Sequence, residues 1–229
     1  MRRLASLLAV AVVGVAAAGC GGGKTVTVMR TETVTRTMTA PAARKMMRVY
    51  FLRDGKVAPV ARELTAADPD ALLAALNDGP TADERALGFA LPEGSARTAA
   101  VVYTLSQLDP KAPVEFGGKS YTRADFEDVT PAILVESPLP FQAVAAPLRV
   151  TGTANTFEAT FEYELLDPAG KVLSHHFVTA TSGSGTRGTF GFTVPFEAPN
   201  GLAKLVVFER SAADGSRIHQ VEIPLRLAR

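Results

Sequence analysis

From Phe157 to Leu165 the chain alternates: Phe157, Ala159, Phe161, Tyr163 and Leu165 are apolar, and Glu158, Thr160, Glu162 and Glu164 between them are polar. A period of two puts the first set on one face of a β-strand and the second on the other, so one wall meets a core and one meets water. Phe157–Leu166 is one of seven strand candidates in this half, with Ile133–Glu136, Leu148–Gly152, Lys171–Thr181, Gly188–Phe196, Ala203–Arg210 and Ile218–Leu227. Turn signals separate them at Asp167-Pro168-Ala169-Gly170, Ser182 to Gly185, Pro199-Asn200-Gly201 and Asp214-Gly215. Short strands with regular turns predict an all-β antiparallel sandwich over residues 131–229. Asp128-Val129-Thr130-Pro131 is the seam before it.

Upstream of the seam the period changes, and residues 47–128 read as a small α+β domain. Arg48 to Leu52 is a β-rich run, Asp54-Gly55 a turn pair, and Val57 to Leu64 the returning strand. Asp68-Pro69-Asp70 then marks a helix start, with Asp68 as N-cap and Pro69 at the first helical position. Leu72, Leu73 and Leu76 form its apolar stripe, and Gly79-Pro80 ends it. Val101, Leu105 and Leu108, at i, i+4 and i+7, predict a second helix over Thr98 to Leu108, stopped by Asp109-Pro110. Val114 to Lys119 reads as a strand entering a tight turn.

The N-terminal residues follow neither pattern. Arg2 and Arg3 precede an apolar or small run of 15 residues, Leu4 to Ala18, which ends at Gly19-Cys20. The run is shorter than the roughly 20 residues that cross a bilayer, and its small-residue end suits cleavage. The stretch resembles a bacterial lipoprotein signal. The resemblance implies removal of residues 1–19, lipidation of Cys20, and a mature chain tethered to the extracytoplasmic face of the cell membrane. Residues 20–46 then read as a flexible tether. Threonine recurs at 25, 27, 31, 33, 35, 37 and 39, but Arg30, Glu32 and Arg36 interrupt the opposite face, leaving no core face. Cys20 is the sole cysteine, so no disulfide forms within the chain, and a net charge of +1 argues against nucleic acid as a partner.

Two family resemblances cover most of the remainder. Val49-Tyr50-Phe51, Arg62, Gly79-Pro80-Thr81, Leu91-Pro92-Glu93-Gly94 and Val102-Tyr103-Thr104-Leu105 are together similar to the GerMN domain of sporulation and spore germination. Only a few residues separate Gly94 from Val101, where the family carries further strands, so the domain is shortened. The second half resembles the immunoglobulin-like domain of bacterial spore germination. The match rests on Ser137-Pro138, Pro147 to Gly152, Ala154-Asn155, Phe157-Glu158-Ala159, Asp167 with Gly170, Gly188-Thr189-Phe190 and Ser211 to Ser216. The resemblance implies a non-enzymatic, envelope-facing module of germination or sporulation type, with no catalytic residues to carry over.

The remaining chemistry is sparse. His175 and His176 are adjacent in a predicted strand and point to opposite faces, which suits one solvated and one packed histidine better than a zinc site. Ser174-His175 lacks the glycines of a nucleophile elbow. Gly183-Ser184-Gly185-Thr186-Arg187-Gly188 lacks the Lys-Ser/Thr ending of a phosphate loop and reads as a hairpin loop. Glu158, Glu162 and Glu164 read as the wet face of a sheet, with calcium or a basic partner as the alternative. The expected protein is a lipid-anchored binding or scaffold module of the cell envelope, holding an envelope protein or wall glycan, with Cys20 as its modified residue. No catalytic residue, cofactor or metal is expected. The alternative is a solute- or glycan-capturing accessory of a transporter or wall-remodelling enzyme.

Overall fold

A computed structural model describes residues 43–197 and 200–228; the signal stretch, Cys20 and the tether up to residue 42 lie outside the described residues. Residues 43–229 form one compact unit. β1 (Lys45–Arg53) and β2 (Lys56–Leu64) make an antiparallel hairpin with Tyr50 opposite Pro59. Asp54 and Gly55 both take positive φ, 53° and 74°, the conformation a two-residue hairpin turn requires. Lys45 and Met46, placed at the end of the tether on sequence, already pair with Leu64 and Glu63.

α1 (Pro69–Asp78) begins where its cap predicts, with the Ala71 amide donating to Asp68 Oδ1 at 2.9 Å, and ends at Gly79 in a left-handed conformation. α2 (Ala82–Ala86) was not anticipated, although its capping box, Thr81 with Glu84, stands in the sequence. β3 (Phe89–Ala90) pairs with β1 on the side away from β2. α3 (Gly94–Leu105) corrects the helix expected over Thr98 to Leu108: it starts at Gly94 and leaves Leu108 exposed beyond its end. All residues from Ala99 to Thr104 are buried. The helix is enclosed rather than amphipathic, so an apolar stripe was the wrong guide to its position. A small hairpin of β4 (Val114–Phe116) and β5 (Lys119–Tyr121) and a 3-10 segment, Arg123–Val129, lead to the second half.

The second half is two packed sheets. One has the order β10-β9-β12-β13-β7 and the other β11-β8-β6. The strands are β6 (Ile133–Ser137), β7 (Ala143–Val144), β8 (Leu148–Ala154), β9 (Thr160–Leu166), β10 (Val172–Thr179), β11 (Gly188–Val194), β12 (Gly201–Arg210) and β13 (Arg217–Leu227). The seven expected strands are present. β7 is additional and runs parallel to β13, so the sandwich is not wholly antiparallel. Phe161, Tyr163 and Leu165 enter the core between the sheets with Val150, Phe190 and Leu205. Phe161 meets Phe190 edge-on, with ring centroids 4.8 Å apart.

The alternation fails at its N-terminal end. Phe157–Ala159 is a short 3-10 turn with Glu158 and Ala159 at φ 52° and 58°, and β9 starts only at Thr160. Phe157 is therefore 58% exposed instead of in the core. Segment 183–188 is not a hairpin loop either: it carries the chain from β10 in the larger sheet to β11 in the smaller. β6 is buried on both faces. Ile133 and Val135 belong to the sandwich core, while Leu134 packs with Tyr50, Val57, Ala99 and Tyr103 of the first half. Strands covered on both sides read as continuous apolar runs, as Ile133-Leu134-Val135 does.

Candidate functional site

The two halves meet around a buried polar cluster. Tyr50 in β1 and Tyr103 in α3 meet with their rings tilted at 51° and centroids 5.2 Å apart, and the Arg123 guanidinium lies over both rings, 5.5 and 4.6 Å from their centroids. Arg123 Nη1 donates to Glu136 Oε1 at 2.8 Å and Nε donates to Ser106 Oγ at 2.7 Å, while the Tyr50 hydroxyl donates to the same Glu136 oxygen. Burial alone would raise the Glu136 carboxyl, but the Arg123 charge and the Tyr50 and Arg123 hydrogen bonds outweigh it and hold the carboxyl below its usual range. Burial, with the Glu136 charge behind it, pushes Tyr50 far up, so its hydroxyl stays a donor. A carboxylate held ionised by a guanidinium and a hydroxyl is arranged to clamp, not to exchange protons.

A second clamp closes the other side of the seam. Arg187 grips Glu127 through Nε at 2.8 Å and Nη2 at 2.9 Å, and Nη2 also donates to the Pro131 carbonyl at 2.8 Å. Asn155 Nδ2 donates to Glu127 while its Oδ1 accepts from the Gly185 amide, tying segment 183–188 to the seam. Arg187 of this glycine-rich segment is thus engaged in structure and not held out toward a phosphate.

Between β2, β6 and β13 lies an apolar cleft of about 230 Å³. Val57 and Pro59 of β2, Leu134 of β6, Pro138 and Ile223 line it, and Arg53, Lys56, His219 and Gln220 stand among its polar lining. Arg53 Nη1 donates to the Glu222 carbonyl at 2.7 Å; its nearest carboxylate, Asp54, is 4.0 Å away on a side chain 92% exposed. Lys56 Nζ donates to the Asp128 carbonyl at 2.6 Å. The Glu222 carboxylate is taken by Lys204 at 2.7 Å. Asp54 and Glu222 line the cleft as well, and the Lys56 charge acts on Glu127, so the cleft joins an apolar interior to a rim of mixed charge.

Residues 132–216 match the family model described as the immunoglobulin-like domain of bacterial spore germination. The chain carries a germination-associated immunoglobulin-like module. No curated protein matches the chain. Among solved structures, the crystal structure of CopC from Methylosinus trichosporium OB3b aligns with a TM-score of 0.30 and 17% identity, covering 42% of this chain and 92% of that one. At that score the likeness carries no argument.

The residues weighed on sequence are scattered across this module. Of the glutamate row, Glu158 sits in the exposed 3-10 turn, and Glu162 bonds Arg210 at 3.1 Å and His175 at 2.7 Å. Glu164 is buried, 2.6 Å from Arg217. Only Glu162 and Glu164 share a strand face, and both are spent on ion pairs. His175 and His176 are both exposed, which corrects the expectation of one packed ring. His219, at φ 52° beside an irregularity in the β12–β13 ladder, lies 2.7 Å from Glu209. Among the described residues no three His, Cys, Asp or Glu side chains gather as metal ligands. The site residues that sequence reasoning missed are Arg53, Lys56, Arg123 and Glu136. Arg53 and Lys56 flank the Asp54-Gly55 turn, and Glu136 is a charge at the end of an apolar run, which demands a partner without naming one.

Proposed function

We propose that this protein is a lipid-anchored binding or scaffold module of the cell envelope, held at the extracytoplasmic face of the membrane through Cys20, and that it performs no catalysis. In this reading residues 45–128, which begin with β1, are a shortened GerMN domain, residues 131–229 the germination-type sandwich, and the residues between Cys20 and β1 the tether. The cleft between β2, β6 and β13 carries the binding role, because it pairs an apolar interior with a rim of polar and charged side chains. The engaged state of Glu84, Glu136 and Glu164, and of the half-exposed Glu127, each bound to an arginine, supports a structural duty for these carboxylates. The partner is an envelope protein or a wall glycan.

Two measurements test this. Cys20→Ser is expected to move the protein from the detergent phase to the aqueous phase on partitioning; a mutant that stays with the detergent would remove the anchor. Gln220→Trp, an exposed position at the cleft, is expected to abolish cross-links from the cleft in intact envelopes. Unchanged cross-linking would move the binding surface elsewhere. The apolar lining of the cleft also fits a second reading, capture of a soluble ligand for a transporter or wall-remodelling enzyme. In that case a small molecule, not a macromolecule, would compete for the cleft.

A further inference from the structure

We infer that Arg48 of β1 anchors an anion site at the seam, and that the group it takes is a carboxylate of a partner molecule. The site lies among β1, β6 and the 3-10 segment, apart from the cleft between β2, β6 and β13, so either can exist without the other.

Two guanidiniums converge there on one carboxylate. Arg123 Nη1 reaches Glu136 Oε1 at 2.8 Å, whereas Arg48 Nε stands 3.9 Å from the same oxygen, too far for a hydrogen bond. Arg123 is spent on this contact, on Ser106 Oγ and on the Tyr50 and Tyr103 rings. Arg48 Nε is buried and meets no acceptor at all. A buried donor without an acceptor carries its full desolvation cost, and the cost is larger for a charged group. The Arg48 side chain as a whole keeps 34% of its exposure, so a group arriving from solvent can meet it.

The charges select the ligand. Arg48 and Arg123 both act on Glu136, and two cations against one carboxylate leave a surplus of one positive charge in the cluster. Carboxylates on the flanking segments are engaged elsewhere: Glu63 pairs with Arg44 at 3.7 Å, Glu127 with Arg187, and the fully exposed Asp125 accepts the Thr122 amide and hydroxyl. A singly charged group balances the surplus, and a doubly charged phosphate overshoots it. A carboxylate also presents two oxygens in one plane, which matches the N–H fork of a guanidinium.

The backbone holds Arg48 ready. β3 pairs with β1 only at Leu52 and Arg53, so the ladder on that side does not reach Arg48. Gln107, just past α3, takes the place of a neighbouring strand. Its Oε1 accepts the Arg48 amide at 3.0 Å, and its Nε2 donates to the Arg48 carbonyl at 2.6 Å and to the Thr104 carbonyl at 2.6 Å. With both of its backbone polar groups tied to α3, Arg48 loses less freedom on binding than an arginine on a loop.

A titration of the purified full chain, followed at the Arg48 Nε–H resonance by NMR, tests the site with sodium acetate, inorganic phosphate and sodium chloride at matched ionic strength. Acetate is expected to shift the resonance saturably, with a dissociation constant on the order of millimolar for so small a ligand, and chloride to leave it in place. Arg48→Lys keeps the charge and loses the fork, so acetate binding read at the Arg123 Nε–H resonance should weaken by about tenfold. Arg48→Gln should abolish it. A resonance unmoved up to about 100 mM acetate, or moved equally by all three salts, would overturn the site, and these readings need no variant to fold. Tighter binding of phosphate than of acetate would overturn the carboxylate assignment. Gln220→Trp at the cleft is expected to bind acetate as the unaltered chain does, so failure of this site and failure of the cleft are told apart.

Discussion

Arg123 Nη1 donates to Glu136 Oε1 at 2.8 Å, joining the segment that ends the first half to the first strand of the sandwich. The pair is mostly buried, with side-chain exposures of 27% and 15%, and Tyr50, Tyr103 and Ser106 enclose it. Removing Arg123 leaves the mostly buried Glu136 with the Tyr50 hydroxyl and only a distant cation, Arg48 Nε at 3.9 Å. Arg123→Ala is therefore expected to cost about 3–5 kcal/mol, read from urea melts. Because the pair and Leu134 both span the seam, residues 43–229 are expected to unfold in one cooperative transition. Two separate transitions would show that the halves are energetically independent.

Acid should weaken the protein through the same carboxylates. Burial pushes Glu84, Glu127 and Glu136 up, but hydrogen bonds and charge from Arg62, Arg187 and Arg123 outweigh it, so each is held below the usual 4.5 in the folded state. The unfolded chain then binds more protons between the folded and unfolded values, and stability rises with pH across that window. The stabilisation is complete above about pH 4.5 and is lost as pH falls through the folded values. Urea midpoints across a pH series should fall below that point, and Glu136→Gln should make the fall shallower. A flat profile down to about pH 3 would contradict the role of these pairs.

Phe161 and Glu162 test the inside and outside of β9. Phe161 is 1% exposed in the sandwich core, and Phe161→Ala should cost about 3–5 kcal/mol through lost transfer energy and a cavity. Glu162 is bonded to Arg210 and His175 at the surface, so Glu162→Ala should cost about 1 kcal/mol or less. Equal losses in denaturant melts would reverse the orientation of the strand.

Gly152 is needed for its lack of a side chain. A Cβ there would lie 2.0 Å from the Leu134 carbonyl oxygen and 2.7 Å from the Phe190 ring. Gly152→Ala must push β6 or Phe190 away, an overpacking that costs roughly 1–3 kcal/mol or more. Thermal melts should show the loss, and Gly191→Ala, where the nearest atom is 3.9 Å away, should show little.

Several elements could be read directly because their causes are local. Asp68 and Pro69 start α1, Gly79 ends it, and Asp54-Gly55 turns the first hairpin. The alternation Phe161-Tyr163-Leu165 orients β9. Each signal acts over a few residues, within reach of a turn or a single strand. The match of residues 132–216 to the germination-type domain agrees with the family resemblance of the second half.

The site was less legible because its residues come from distant parts of the chain. Arg53 and Lys56 belong to the first hairpin, Pro138 follows β6, and His219 lies in β13. Glu158 shows where local pattern misleads: the alternation continues through it, yet the backbone turns left-handed because segment 183–188 packs beneath and Glu209 captures the Phe157 amide. The sequence by itself determined the first hairpin with its turn, the seven long strands of the second half, the caps of α1 and the placement of Cys20 after a small-residue stretch, since these follow from periodicity and backbone preference. The tertiary structure alone decided that Arg123 meets Glu136, that β6 is buried on both faces, and that an apolar cleft lies between β2, β6 and β13. Those outcomes depend on which buried charges find partners and which apolar faces are covered, and both conditions are set by residues far apart in the chain.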